Sequence, residues 1–319
     1  MSTLDIDGID WADLRALRSA FLERTAGTTD YWGSDDRLSA YDRTFGERIG
    51  WKWDHVLAEV SRRGWSPPVG PVLDWGCGTG VAGRRFLEWF PGAGPLRCSD
   101  RSARAERFAR TRATEAGIEV ITQGAAATVL VSHVLSELDG PAIERLMTVL
   151  AQATSVVWVE PGDREASRLL QSLRDRMAGV YSVVAPCARQ TPCPLLEAGM
   201  ERHWCHHFAS PPPEAFTDRG WGRFSSETGI DLRSTPLSFL VLDRRPVPEP
   251  GPGAVHVVGR PRLSKVEVRV FGCDQSGVTD GRLTKRRLPD RYREAKKGEL
   301  EDLARWSLEG SEIVQWESW

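Results

Sequence analysis

A glycine-rich turn carries the most informative chemistry in the sequence. Residues 74–80 read Asp-Trp-Gly-Cys-Gly-Thr-Gly and lie between an apolar run and a helical segment. Glycines let the backbone turn sharply and approach a ligand, and the helix that follows offers free amides and a positive dipole end. Asp74 can anchor an amino group, and Asp100, after the next apolar run, can accept both ribose hydroxyls. The predicted cofactor-binding residues are Asp74, Gly76, Cys77, Gly78, Gly80 and Asp100.

The glycine spacing selects the class of cofactor. A dinucleotide fingerprint needs its third glycine at position 81, which is Val81 here. Alternating glycines behind an acid resemble the first motif of class I methyltransferases, so S-adenosyl-L-methionine is the expected cofactor. A tight strand–helix turn without a ligand is the alternative.

The catalytic residues are not assigned by the sequence. No Asn-Pro-Pro-Tyr or Asp-Pro-Pro-Tyr tetrapeptide follows the fourth predicted strand, where residues 132–138 read Ser-His-Val-Leu-Ser-Glu-Leu. His133 is a candidate base or a structural histidine, and the structural interpretation is favoured. Residues 160–162, Glu-Pro-Gly, either line the pocket or form a turn.

Four of the six cysteines form a candidate metal site. Four thiolates suit a tetrahedral zinc ion or a 4Fe–4S cluster, and the pattern lacks the paired two-residue knuckles of common zinc ribbons. Unliganded thiols and a Pro-Cys nucleophile are the alternatives, and a nearby histidine could replace one thiolate. Cys77 and Cys98 are interpreted as packing residues. The candidate ligands are Cys187, Cys193, Cys205 and Cys273, and the nearby histidines are His203, His206 and His207.

A basic stretch follows the last cysteine. Residues 282–297 contain eight lysines and arginines and two acids, whereas the whole chain has a net charge of −2. Such a stretch can neutralise several phosphates, so it is predicted to bind RNA, with a solvated helix face as the alternative.

The elements that position these residues alternate between apolar runs and helical segments from residue 71 onward. Runs at 72–75, 96–99, 119–122, 128–132 and 155–160 alternate with helices near 81–90, 101–116, 139–152 and 163–178, which predicts an α/β fold with a parallel sheet. Runs at 181–185 and 237–243 extend this sheet. Residues 1–68 are predicted as a helical region, 69–245 as a Rossmann domain with a cysteine-rich insertion (186–235), and 246–319 as a small β unit with a basic helical tail.

The sequence also predicts the location and the oligomeric state of the protein. The N-terminus has no positive leader before an apolar run, and no stretch approaches the length of a membrane helix. We therefore expect a cytoplasmic, soluble protein without membrane contact, and a monomer. Six cysteines in a reducing compartment are expected to be ligands or buried thiols.

Taken together, these motifs resemble the methyltransferase-like family of ribosomal small-subunit assembly factors, known from mitochondria and with bacterial relatives. The similarity covers roughly residues 35–300 and implies a class I S-adenosylmethionine-dependent methyltransferase Rossmann-like fold, a 4Fe–4S cluster on Cys187, Cys193, Cys205 and Cys273, and small-subunit RNA or an assembly intermediate as partner. The sequence departs from the family at His206-His207, where one histidine is usual. The motifs that carry the resemblance are 73–78, 132–138, 159–162, 185–187, 193–194, 204–206 and 238–242.

Three functions are compatible with the sequence. The first is an RNA-binding assembly factor that holds S-adenosylmethionine and an iron–sulfur cluster. The second is a true ribosomal RNA methyltransferase in which the cluster shapes the RNA-binding end. The third is a small-molecule methyltransferase with structural zinc.

Overall fold

A computed structural model describes residues 3–23, 30–248 and 250–319. The chain forms two compact units, of which unit 1 contains residues 1–58, 66–160 and 209–235, and unit 2 contains 59–65, 161–208 and 236–319. The helices are α1 Trp11–Leu22, α2 Asp35–Tyr41, α3 Glu47–Arg62, α4 Val81–Trp89, α5 Ala103–Glu115, α6 Gly140–Leu150, α7 Arg164–Arg176, α8 Glu214–Thr217, α9 Arg219–Thr228 and α10 Pro289–Lys297. The strands are β1 Val72–Trp75, β2 Leu96–Ser99, β3 Thr128–Ser132, β4 Ser155–Pro161, β5 Ser182–Ala185, β6 His207–Phe208, β7 Pro236–Asp243, β8 Ala254–Val257, β9 Arg262–Leu263, β10 Glu267–Asp274, β11 Gly277–Thr284, β12 Leu303–Glu309 and β13 Glu312–Ser318.

Unit 1 is built around four parallel strands in the order β2-β1-β3-β4. Their apolar residues are buried almost without interruption, as expected for a sheet covered on both faces. Helices alternate with the strands along the chain, and Ser102 and Asp139 cap the N-termini of α5 and α6 with their side chains.

Two details of unit 1 differ from the sequence-based prediction. The run 119–122 makes a single bridge, between Leu96 and Val120, because Glu119 and Thr122 are exposed and the run does not bury a strand face. The helix predicted over about 36–63 is present but contains a π-helical turn, Asp42–Gly46, between α2 and α3. The buried Asp42 in this turn accepts hydrogen bonds from Arg84 and Arg112.

Unit 2 contains two sets of strands. In the first, β7 runs antiparallel to β5 and to β6. In the second set, neighbouring strands follow the order β8-β10-β11-β13-β12, and β12 also pairs with β8, which closes a barrel. The short β9 pairs with the outer part of β10. The barrel encloses Val255, Val268, Val270 and Ile313, each less than 1% exposed.

The sequence predicts a basic helical tail after the C-terminal β unit, and only the first part of this tail is helical. The basic helix α10 ends at Lys297, and the chain continues as β12 and β13. Apolar side chains such as Trp306 and Trp316 recur at strand spacing and fill the barrel, which overrides a helical interpretation.

The parallel sheet with alternating helices, followed by the antiparallel strand β7, is the class I S-adenosylmethionine-dependent methyltransferase Rossmann-like fold. N-terminal helices, a cysteine-rich segment and a C-terminal β unit accompany it, as predicted. Within the part of the chain that the structure describes, no helix combines the length and apolar character that crossing a bilayer requires.

Candidate functional site

The glycine turn closes tightly between β1 and α4. Its backbone is fixed by bonds from the amides of Gly76 and Cys77 to Ser99 O and from Gly80 N to Cys77 O. Gly76 has φ +67°, and a Cβ there would lie 2.8 Å from Val134 Cγ1. The left-handed backbone and the close neighbour together exclude a side chain at this position.

Both predicted acids lie against this turn. Asp100 Oδ2 accepts from Gly78 N at 2.8 Å and Oδ1 from Ser102 N at 2.9 Å, so its carboxylate faces the turn and each oxygen keeps a free lone pair. Asp74 is fully buried, and its Oδ2 accepts from Gly83 N at 3.0 Å. Asp74 Oδ1 has no partner among the described residues, and burial raises the pKa of Asp74 to about 7. This unpartnered oxygen can accept from a ligand's amino group.

A buried polar group lies at the carboxyl end of β3. His133 has φ +56°, which is rare for a residue other than glycine. Its Nε2 lies 2.9 Å from Lys52 Nζ, and its Nδ1 lies 3.2 Å from Ser132 Oγ, which also accepts from Trp53 Nε1. Burial and the nearby Lys52 charge lower the pKa of His133 well below its usual value. Because both ring nitrogens are engaged, the geometry agrees with the structural interpretation of His133.

Glu160, at the end of β4, holds the segment that follows His133. Its Oε1 accepts from Trp158 Nε1 at 2.7 Å and from the amides of Val134 and Leu135 at 3.2 and 3.3 Å. Its Oε2 has no partner among the described residues. Val134 is also the residue that contacts Gly76, so Glu160 positions the neighbour of the glycine turn.

The buried Glu160 makes folding stability depend on pH. Burial raises the pKa of Glu160 from 4.5 to about 7, so the folded protein favours the protonated carboxyl. The contribution of Glu160 to the free energy of unfolding is therefore fully present below about pH 4.5 and is lost as pH rises through 7. We expect the difference in unfolding free energy between wild type and Glu160→Gln to change by about 3 kcal/mol across this window. Denaturant unfolding at a series of pH values measures it, with the exposed Glu88→Gln as control. Parallel pH profiles for wild type and Glu160→Gln would contradict this prediction.

The four candidate metal ligands lie in unit 2 and line one cavity. Cys187 and Cys193 follow β5, Cys205 precedes β6, and Cys273 lies near the end of β10. These positions are separated by up to 86 residues in sequence, yet all four sulfurs contribute to the same cavity wall, together with His256.

The thiols of this cavity influence one another's ionisation. Burial, followed by the neighbouring Cys187, raises the pKa of Cys193 to about 11, and burial and the other cysteines also raise the pKa of Cys205 and Cys273. Free thiols at Cys193, Cys205 and Cys273 are therefore protonated near neutral pH, and binding of a metal to them would release protons.

Positive side chains surround the same cavity. Arg174, whose side chain is 3% exposed, contacts the Cys187 sulfur, and Arg189 also lines the wall. Arg174 also pairs with Asp175, which compensates its buried charge, whereas Arg189 is only half-buried and adds positive charge beside the thiols. Sequence analysis missed both, since nothing in their local pattern distinguishes them from surface arginines.

The candidate histidines differ in their relation to the cysteines. His207 Nε2 lies 3.4 Å from Cys205 Sγ, and its Nδ1 lies 3.2 Å from Val257 O. His203 stacks on Phe271, and His206 stacks on Trp204. Of the three, His207 is the one that lies against a candidate ligand in the described ranges. No three His, Cys, Asp or Glu side chains in those ranges are arranged as ligands of a single metal ion.

A buried ion pair supports the cysteine segment from within unit 2. Arg63 donates to the carbonyl oxygens of Val184 and Pro186 at 3.1 and 2.7 Å, directly before Cys187. Glu59 pairs with Arg63 at 2.8 Å and with His256 Nε2 at 2.9 Å. The spacing of Glu59 and Arg63 on a helix was visible in the sequence, but their partners were not.

The basic stretch 282–297 is less positive in the structure than in the sequence. Arg282 approaches Glu267 and Glu312, and Arg287 pairs with Glu309 at 3.4 Å. Further acids from neighbouring strands therefore compensate part of its charge. Within the described residues, Lys285 and Arg286 are exposed and have no acidic partner.

Comparison with known proteins identifies the family. The profile of the family described as Mitochondrial small ribosomal subunit Rsm22 matches residues 96–305. No curated protein sequence matches the chain. Similar solved structures include a protein from Pyrococcus horikoshii described as a proposed RNA methyltransferase, at 13% identity and a TM-score of 0.37, covering 60% of this chain and 83% of that one. Another is the plantazolicin methyltransferase BpumL in complex with SAH, at 14% identity and a TM-score of 0.40, covering 73% and 100%. The match over more than half of its length shows that this chain belongs to the Rsm22 family.

Proposed function

We propose that this protein is an S-adenosylmethionine-binding, iron–sulfur-containing factor that acts on the RNA of the small ribosomal subunit during its assembly. The observation that carries the proposal is the family match over residues 96–305, since the family is named for the small ribosomal subunit. The cofactor and metal parts rest on the two sites described above.

The glycine turn is proposed to hold S-adenosylmethionine. The unpartnered Oδ1 of Asp74 would accept a hydrogen bond from the amino group of the cofactor. Asp100, beside Gly78, would accept hydrogen bonds from the ribose hydroxyls. When bound, this cofactor supplies an activated methyl group. The remaining candidates, Gly76, Cys77 and Gly80, would shape the backbone of the turn.

The four cysteines are proposed to hold a 4Fe–4S cluster, and zinc is the less favoured metal. The cysteine spacing lacks the paired two-residue knuckles of common zinc ribbons, which makes zinc the less favoured metal. A cubane cluster takes one thiolate on each of four irons, so its ligands lie farther apart around a shared cavity. Arg189 beside the cavity adds positive charge that an anionic cluster favours, and Arg174, paired with Asp175, lies against Cys187.

No residue is assigned as a catalyst of methyl transfer, since both ring nitrogens of His133 are occupied and the sequence contains no catalytic tetrapeptide. The alternative, a small-molecule methyltransferase with structural zinc, would bind neither iron nor small-subunit particles. The location of the protein and its oligomeric state remain as predicted from sequence: cytoplasmic and monomeric.

Co-sedimentation tests the proposed partner. We expect the anaerobically purified protein to sediment with small-subunit precursor particles, and this binding to weaken by at least tenfold between about 50 and 200 mM salt, because several phosphates are contacted. Large ribosomal subunits are the control particle. Equal sedimentation with both subunits, or none with either at low salt, would overturn the proposal. Labelled methyl groups supplied with the same particles report whether transfer occurs.

A further inference from the structure

The barrel in unit 2 has a specific connectivity. Its five strands close in the order β8-β10-β11-β13-β12 and back to β8, and every pairing is antiparallel except β11 with β13. The helix α10 lies between the third and fourth barrel strands along the chain. A five-stranded Greek-key barrel with one helix at this place is the OB-fold, whose second and third strands and adjoining loops bind oligonucleotides in many proteins.

We infer that this barrel binds single-stranded RNA at the end formed by the β9–β10 turn and the β11–α10 loop. The inference rests on the proposed RNA partner and assigns the contact to particular residues. Fold alone does not establish function, so the argument depends on the side chains presented there.

The register of the hairpin brings two loops together. Glu267 pairs with Thr284 at the end of the ladder, so the β9–β10 turn with Lys265 and Val266 and the loop with Lys285 and Arg286 both leave the barrel at this end. The Ser264 hydroxyl accepts from Glu267 N at 3.0 Å and thereby shapes the turn. Three cations from two segments therefore meet at one end of the β10–β11 ladder.

This end is exposed and carries uncompensated charge. Val266 is 76% exposed, and Leu263, in β9, is 52% exposed. Among the described residues, Lys265, Lys285 and Arg286 form no ion pair, whereas Arg262 and Arg269 on the neighbouring sheet face both pair with Asp280. Positive charge beside apolar side chains is complementary to a nucleic acid whose bases are unstacked.

The other half of the β10–β11 face is already covered within unit 2. His203 stacks on Phe271 with 4.8 Å between ring centroids, and Val278 and Cys273 pack with Leu195 and Cys193. The aromatic residue that an OB-fold would offer for stacking is thus occupied by the chain itself. Recognition at the free end therefore combines phosphate contacts by the cations with contacts of Val266 and Leu263 to unstacked bases, and it is tolerant of sequence.

Fluorescence anisotropy with the full-length protein tests the inference. The probe is a labelled single-stranded RNA of about 12 nucleotides and mixed sequence, within the range of one OB-fold site, and the same RNA as a duplex is the comparison. The test variant is Lys265→Gln/Lys285→Gln/Arg286→Gln, and Arg293→Gln/Lys296→Gln/Lys297→Gln on α10, which removes the same charge, is the matched control. All six side chains are exposed, so unchanged thermal midpoints are expected.

We expect the test variant to lose at least tenfold in affinity for the single strand and to reduce the slope of log affinity against log salt by about 2, because three phosphate contacts are removed. The control should change affinity by less than threefold, and the duplex should bind more weakly than the single strand to the wild type. Equal binding by the test variant and the control, or preference for the duplex, would overturn the inference. If the wild type co-sediments with small-subunit precursors but binds no single strand, the barrel inference fails and the proposed function stands. If it does neither, both fail.

Discussion

Substitution of Cys193 by serine is expected to remove most of the bound iron and the visible absorbance of the anaerobically purified protein. Cys193 is buried, at 9% exposure, on the wall shared with Cys187, Cys205 and Cys273, and a serine hydroxyl is a poor substitute for a thiolate ligand. Because a cluster would link the segment after β5 to β10 of the barrel, its loss should also lower the resistance of unit 2 to proteolysis. Iron and sulfide analysis, absorbance and limited proteolysis measure these effects.

The matched control is Cys98→Ser. Cys98 is equally buried, at 5% exposure, but lies in β2 of unit 1 and outside the cysteine cavity. Both substitutions change one sulfur atom to oxygen in a buried site, so they should cost similar packing energy, and only Cys193→Ser should lose the metal. A colourless wild type with one tightly bound zinc, or iron retained in Cys193→Ser, would defeat the cluster proposal.

Replacing Asp100 by alanine is expected to weaken binding of S-adenosylhomocysteine by roughly 10- to 100-fold. The carboxylate would lose its bonds to the ribose hydroxyls, and hydrogen bonds to a charged group contribute about 1.5–3 kcal/mol. It also anchors Gly78 N and Ser102 N, so part of the loss would come from a looser turn. Asp100→Asn can still accept one of these bonds and should lose less. Isothermal titration calorimetry measures the affinities.

An exposed acid elsewhere in unit 1 serves as the control for this prediction. Asp36, in the first turn of α2, is exposed, and Asp36→Ala should bind S-adenosylhomocysteine as the wild type does. Equal affinity for wild type and Asp100→Ala would show that the acid after β2 has no part in cofactor binding. No binding by the wild type would reject the cofactor assignment altogether.

The buried groups around the glycine turn form a connected set. Glu160 binds the amides after His133, Val134 from that segment contacts Gly76, and Lys52 lies against His133. A strained backbone at His133 persists only because its neighbours hold it in place. This set therefore positions the turn whether or not a methyl group is transferred.

Local sequence determined the elements that depend on short-range pattern. The apolar runs of β1, β2, β3 and β4 and the helices between them were predicted within a few residues, because a buried parallel strand and an amphipathic helix each leave their own periodicity in the chain. The glycine turn was equally visible, since its conformation restricts the residue types at each position.

Tertiary structure alone decided the features that depend on long-range contacts. Residue type and the family resemblance grouped Cys273 with Cys187 as candidate ligands, but only the fold places both on one cavity wall and brings Arg63 to the carbonyls before Cys187. The barrel was missed because β12 and β13 carry short, partly polar patterns, and it forms only when the parallel pairing of β11 with β13 completes its closure. Likewise, the acids that compensate Arg282 and Arg287 come from strands distant in sequence, so the charge of the basic stretch could be evaluated only in the folded protein.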